Sequence, residues 1–144
     1  MWWLIAALLL AALAIGIPLL IRSRRRADWL AELDTAEAEA IWFARALIPE
    51  LKAAGSHERA AGAWGVSSAR VVATEDALTG LEASAPDDES RIRATTLRDA
   101  VRSGRGQVEQ LVRVGADATL GFGLEDVAVE LERVLPPAPP PGSP

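Results

Sequence analysis

The stretch WLAELDTAEAEAIWFARALIPEL, residues 29–51, carries apolar side chains at Trp29, Leu33, Ala36, Ala40, Phe43 and Leu47. Alternating steps of four and three place them on one face of a helix. A second stripe, Ile41, Ala44, Ile48 and Leu51, opens only in the later half. The buried face therefore widens toward the C-terminal end, as in a helix that becomes enclosed by neighbours. Pro49 removes a backbone donor and predicts a kinked or thinned last turn before Gly55 ends the element.

Downstream, the same periodicity recurs three times. Ser56 is suited to cap a second helix running to about Ser84, with Trp64, Val71, Leu78 and Leu81 on its apolar face. Ala85-Pro86-Asp87 supplies a stop and a new cap. Asp88 and Glu89 suit the positive end of a third helix, whose stripe is Ala94, Leu97, Val101, Gly104, Val108 and Leu111. Gly104-Arg105-Gly106 is a point where it can break, and Gly115 ends it. Leu120, Leu124, Val127, Leu131 and Val134 mark a fourth helix, stopped by Pro136. No stretch alternates with period two, so no sheet is expected. Short connections favour antiparallel neighbours, and the fold class is all-α: a bundle of about four helices over residues 29–135. The chain has five tryptophans, two phenylalanines and no tyrosine, so the core is built from Ala, Leu and Val with closely spaced helices.

Upstream lies Trp2 to Ile21, an unbroken apolar run that stops at Arg22-Ser23-Arg24-Arg25-Arg26. Twenty helical residues rise about 30 Å, the thickness of a bilayer's hydrocarbon core. Eleven of them are leucine or isoleucine, which favours insertion by about 3–6 kcal/mol, a little less with Gly16 and Pro18. A cleaved signal peptide would need a basic n-region and a shorter apolar core, and cutting after Ala12-Leu13-Ala14 would strand half the run. Residues 1–21 are thus expected to be a single-pass transmembrane anchor. Trp2 and Trp3 would lie at the outer interface, and Arg22, Arg24, Arg25 and Arg26 at the cytoplasmic one, beside membrane lipid. Residues 22–28 form the basic juxtamembrane segment. On this reading the helix continues from the inner membrane into the bundle as a stalk, N-terminus outside and helical domain cytoplasmic. Ala7-x-x-x-Ala11 and Ala12-x-x-x-Gly16 would allow such helices to pair.

Charge and composition exclude several functions. Residues 27–144 hold all 20 acidic residues and 11 of the 15 basic ones, a net −9, which opposes nucleic-acid binding. Cysteine is absent, removing disulfides, thiol catalysis and cysteine-zinc sites. One lysine beside fourteen arginines, with abundant alanine, has a bacterial high-GC flavour.

Candidates for chemistry are few. His57 is the only histidine and has no partner at metal-ligand spacing; it reads as a residue of a helix cap. No Glu-x-x-His pair supports a di-iron centre, and the carboxylates fall on faces opposite the apolar stripes. Gly104-Arg105-Gly106 and Gly121-Phe122-Gly123 complete no phosphate-binding motif and read as helix-end or close-packing glycines. No catalytic, cofactor or metal site is expected, and no small-molecule substrate. The third helix concentrates Arg91, Arg93, Arg98, Arg102, Arg105 and Arg113. They can pair with an acidic first or fourth helix, or, at Arg98, Arg102 and Arg105, form a docking face for an acidic partner. Residues 136–144 are a proline-rich tail, expected to be disordered, with PxxP spacing at Pro136/Pro139 and Pro137/Pro140.

These features point to a membrane-anchored, non-enzymatic adaptor that presents an acidic helical domain to a protein partner or a second copy of itself. The alternative is an accessory subunit of a membrane enzyme or transporter, gripping its complex through the spanning helix.

Overall fold

In a computed structural model of the chain, the backbone is described for residues 2–115 and 117–140 and the side chains for 21–115 and 117–140. Helix α1 spans Trp2–Trp42 and passes without a break into a π-helical stretch, Phe43–Leu47, and then α2, Ile48–Ala53. Helices α3 (His57–Ala83), α4 (Asp88–Val114) and α5 (Asp117–Glu132) follow, and no strand occurs among the described residues.

The all-α bundle is as expected; the membrane anchor is corrected. Among the described residues no helix is long and apolar enough to cross a membrane. From Ile21 onward α1 carries Arg22, Arg24, Arg25, Arg26, Asp28 and Glu32 within twelve residues, a density of charge that hydrocarbon does not accept. The spanning anchor, the single-pass topology, the outward N-terminus and the inner-membrane, cytoplasm-facing localisation are therefore not carried forward. The side chains of Trp2 and Trp3 and the small-residue spacings between them and Gly16 lie outside the described residues.

The expected stripes are the core. Trp29, Leu33, Ala36, Ala40, Phe43 and Leu47 are all buried, and so are Ala44, Ile48 and Leu51 of the second stripe. Trp64, Val71, Leu78 and Leu81 of α3 face them, with Leu97, Val101 and Val108 of α4 and Leu124, Val127 and Leu131 of α5. Burying one such side chain stabilises by roughly 1.5–3 kcal/mol. The Trp29 indole Nε1 donates to the Leu81 carbonyl at 2.9 Å, which fixes the end of α3 against α1. Lower down, the Phe43 and Trp64 rings meet at 6.1 Å. Sequential helices are neighbours, and α2 with the π stretch packs on α5 to close the bundle. The 16 residues of α5 rise about 24 Å against about 40 Å for the 27 of α3 or α4. One half of the molecule is thus a four-helix bundle and the other a three-helix one.

Pro49 acts differently from expectation. It does not thin the turn; the helix widens just before it, and the Ile48 N–H reaches back five residues to the Phe43 carbonyl. Proline offers no N–H to the carbonyl four residues earlier and its ring presses on it, so a wider turn relieves the clash. The turns are conventional. Gly55 and Gly115 end helices with φ of 74° and 71°, values that suit glycine because it lacks a Cβ. Ser56 Oγ accepts from the Arg59 N–H at 3.3 Å, and Asp87 Oδ1 from the Ser90 N–H at 2.8 Å.

The glycine doublets divide by function within the fold. Gly104-Arg105-Gly106 does not interrupt α4. A Cβ on Gly104 would lie 3.2 Å from Phe43 Cε1 and 3.4 Å from Val127 Cγ1, whereas Gly106 faces open space. Gly104→Val should therefore cost about 2–3 kcal/mol by overpacking, while Gly106→Ala should add up to about 1 kcal/mol of helix propensity. Urea unfolding followed by circular dichroism at 222 nm checks both; equal effects at the two positions would contradict the packing assigned to Gly104.

Candidate functional site

Small side chains keep α1 and α3 apolar along the surface where they meet, and leave a groove of about 750 Å³ between them. Its floor is Ala36 of α1 with Ala73, Ala77, Gly80 and Leu81 of α3. The three-residue and four-residue steps of Ala73, Ala77 and Gly80 put them on the outer face of α3, away from Trp64, Val71 and Leu78. Val66 lies on that same outer face and is 85 % exposed.

The rim is charged at two levels. At one, Arg70 donates from Nε and Nη2 to the two Glu39 carboxylate oxygens at 2.5 and 2.9 Å. The Arg70 guanidinium also stacks 3.8 Å over the Trp42 ring. That hydrogen bond holds the Glu39 carboxyl below the usual carboxylate range, with burial working weakly against it. At the other level Glu32 stands exposed, with no ion pair or hydrogen bond among the described residues. Sequence reasoning missed this groove because it tracked apolar periodicity, and the groove is made by the alanines and glycine left over on the opposite side of α3.

The arginines of α4 turn toward α3. Arg102 Nε donates to Glu75 Oε1 at 2.6 Å and Arg105 Nε to Glu75 Oε2 at 2.9 Å, while Arg105 Nη1 holds Glu109. Arg98 pairs with Glu82 and Asp99, and Arg93 with Glu37 of α1. The structure thus brings Arg98, Arg102 and Arg105 together on the seam between α3 and α4, on the acids of the second bundle helix rather than the first or fourth. Glu75 is 8 % exposed. Burial pushes its carboxyl up, but the hydrogen bonds from Arg102 and Arg105 reverse this and leave it below the usual range. Such a pair fixes the register of two helices more than it adds stability.

The remaining residues scatter. Arg22, Arg24 and Arg25 are exposed, and Arg26 lies 3.4 Å from Asp87 at the start of α4, with Arg22 alongside. His57 donates its backbone N–H to Asp117 Oδ1 at 2.8 Å, joining the starts of α3 and α5, and its ring lies against Gly115. Its Nδ1 atom is buried with no hydrogen-bond partner among the described residues. Arg45 holds Glu132 through Nε and Nη2 at 2.7 and 2.9 Å and the Pro136 carbonyl at 2.7 Å, which ties down the start of the proline tail. Pro137 to Pro140 are exposed and non-helical. Among the described residues no cluster of His, Asp or Glu is arranged to hold a metal ion.

No known family model, curated protein or solved structure matches the chain.

Glu39, Glu75 and Glu132 all have carboxyls lowered by arginine hydrogen bonds in the fold. A carboxylate with a depressed folded pKa contributes stability above its unfolded value, near pH 4.3, and loses it as pH falls through the folded value. Unfolding stability should therefore decline as the pH falls below about 4.5. Glu75→Gln should lower stability at pH 7 by about 1–3 kcal/mol, since Arg102 remains half exposed and screened. It should also flatten the acid decline, and urea midpoints from pH 3 to 7 measure both; an unchanged acid slope would remove Glu75 from the account.

Proposed function

We propose that the chain works as a non-enzymatic helical interaction protein whose binding face is the groove between α1 and α3. The observation that carries this reading is the groove itself: an apolar floor of alanine, glycine and leucine, open along its length and bordered by Glu32, Glu39 and Arg70. A helix laid in such a groove buries its apolar stripe and meets polar rims on both sides. Alanine and glycine on the floor let a second helix approach closely, because no long side chain holds the backbones apart.

The ionisable groups support the same reading. Glu75 is spent on Arg102 and Arg105, and Glu132 on Arg45, so these acids and bases serve to hold helices in register. The net −9 of residues 27–144 favours partners that are not polyanions. The accessory-subunit alternative depended on a spanning helix and is not taken further.

A photocrosslinking amino acid placed at Ala77, with Gly106 as the control, tests the reading in cells. Ala77 should give a discrete crosslinked product, and Ala73→Arg in the same chain should reduce it about tenfold by filling the floor with charge. Equal products at Ala77 and Gly106, or none at Ala77, would remove the groove as the binding face.

A further inference from the structure

We infer that the occupant of the α1–α3 groove is a second copy of this chain, laid antiparallel so that Glu32 of each copy meets Arg70 of the other. This rests on the groove being the binding face and adds the identity of what fills it.

The argument starts from what each rim leaves unused. Glu39 engages Arg70 through Nε and Nη2, so the Arg70 Nη1 amino group takes no part in that pair. The Arg70 side chain is half exposed. Glu32, on the same groove, is an exposed carboxylate with no partner among the described residues. One end of the groove thus offers a free cationic donor and the other a free anionic acceptor. A basic partner would satisfy Glu32 but leave Arg70 Nη1 unused, and an acidic one would take Arg70 Nη1 but be repelled by Glu32. A partner with the opposite order satisfies both, and a copy of the chain turned end for end has that order.

The spacing is self-consistent. Arg70 lies level with Glu39, and Glu32 is seven residues from Glu39, about 10 Å along α1. Because α3 runs antiparallel to α1, Ala77, seven residues from Arg70, lies level with Glu32. A two-fold axis placed halfway is level with Ala36 and Ala73, the floor of the groove, and sets the two Glu32–Arg70 pairs about 5 Å above and below it. An isologous interface requires this self-complementary layout. Alanines at the axis are what let the two copies come close, and Val66 of each would extend the apolar contact beyond the charged pairs.

A charge-reversal cycle on the full chain tests the inference, with sedimentation velocity reading the monomer–dimer equilibrium. Glu32→Arg alone sets arginine against arginine and should weaken the dimer about tenfold or more. Glu39→Arg with Arg70→Glu keeps the pair within each copy but sets a carboxylate against Glu32 of the other copy, and should weaken it as much. The three changes together invert every charge in the set and should restore dimerisation to within about threefold of the parent. Circular dichroism confirms that each variant is folded. Because the chain has no cysteine, Ala73→Cys, at the axis, should form a disulfide-linked dimer under mild oxidation and Gly106→Cys should not. A parent that stays monomeric at 100 μM, a dimer indifferent to Glu32→Arg, or equal crosslinking at positions 73 and 106 would each overturn the inference. A monomeric parent that still gives the discrete Ala77 photoproduct, at the mass of a different protein, would overturn only the second copy and leave the groove as the binding face.

Discussion

Pro49 sets the geometry on which the bundle depends. A proline inside a long helix withholds one backbone donor and pushes on the carbonyl a turn earlier, and here the cost is met by widening the preceding turn over Phe43–Leu47. Leu47, at the end of the widened turn, and Ile48 and Leu51, beyond it, are all buried. Beyond the turn α2 packs on α5, and at its start the Phe43 ring lies against Gly104 of α4. Gly104 is the matching concession: a Cβ there would crowd the Phe43 ring at 3.2 Å, with Val127 and Leu131 close by. Arg45, within the widened turn, then reaches Glu132 and the Pro136 carbonyl and fixes the end of α5.

With the apolar core so arranged, charge decides register. Glu75 and Glu82 of α3 take Arg102, Arg105 and Arg98 of α4, and Glu37 of α1 takes Arg93. Each pair at the surface is weak, but they all demand one alignment of helices whose core residues, mostly Ala, Leu and Val, tolerate sliding. The same helices leave an apolar groove on the far side of α3, because α5 is too short and too far round the bundle to cover it. The groove's rim carries Glu32, without a partner among the described residues, at one level and Arg70 at another.

Much of the fold was legible in the sequence. The stripes from Trp29 to Leu51, Trp64 to Leu81, Ala94 to Leu111 and Leu120 to Val134 line the core, with Leu111 and Val134 only partly buried, and Ser56, Asp87, Gly55 and Gly115 bound the helices. These are local signals: a periodicity of 3.6 and the capping needs of a helix end are written within a few residues of each other. The groove was not legible. Ala73, Ala77 and Gly80 mark it only when α1 is laid beside α3, since small residues on an outer helix face are ordinary until a neighbour turns them into a floor. Two further readings gave way. An apolar run taken alone suggested a bilayer span, whereas no helix among the described residues is long and apolar enough to cross a membrane, and α1 is heavily charged from Arg22 onward. The arginines of α4 suggested the acids of the first or fourth bundle helix as partners, and found most of theirs on α3.

The sequence by itself determined that the chain is all-α, where the caps between its helices fall, and most of the side chains that form the core. It could do so because helix periodicity and capping are short-range properties of the backbone. Only the tertiary structure decided that the helix widens ahead of Pro49, that Gly104 and not Gly106 is packed against neighbours, and that Glu75 becomes a buried partner of two arginines. It also decided that Glu32 and Arg70 share one groove. Each of these depends on which residues from distant parts of the chain come within a few ångströms, and no local pattern carries that distance.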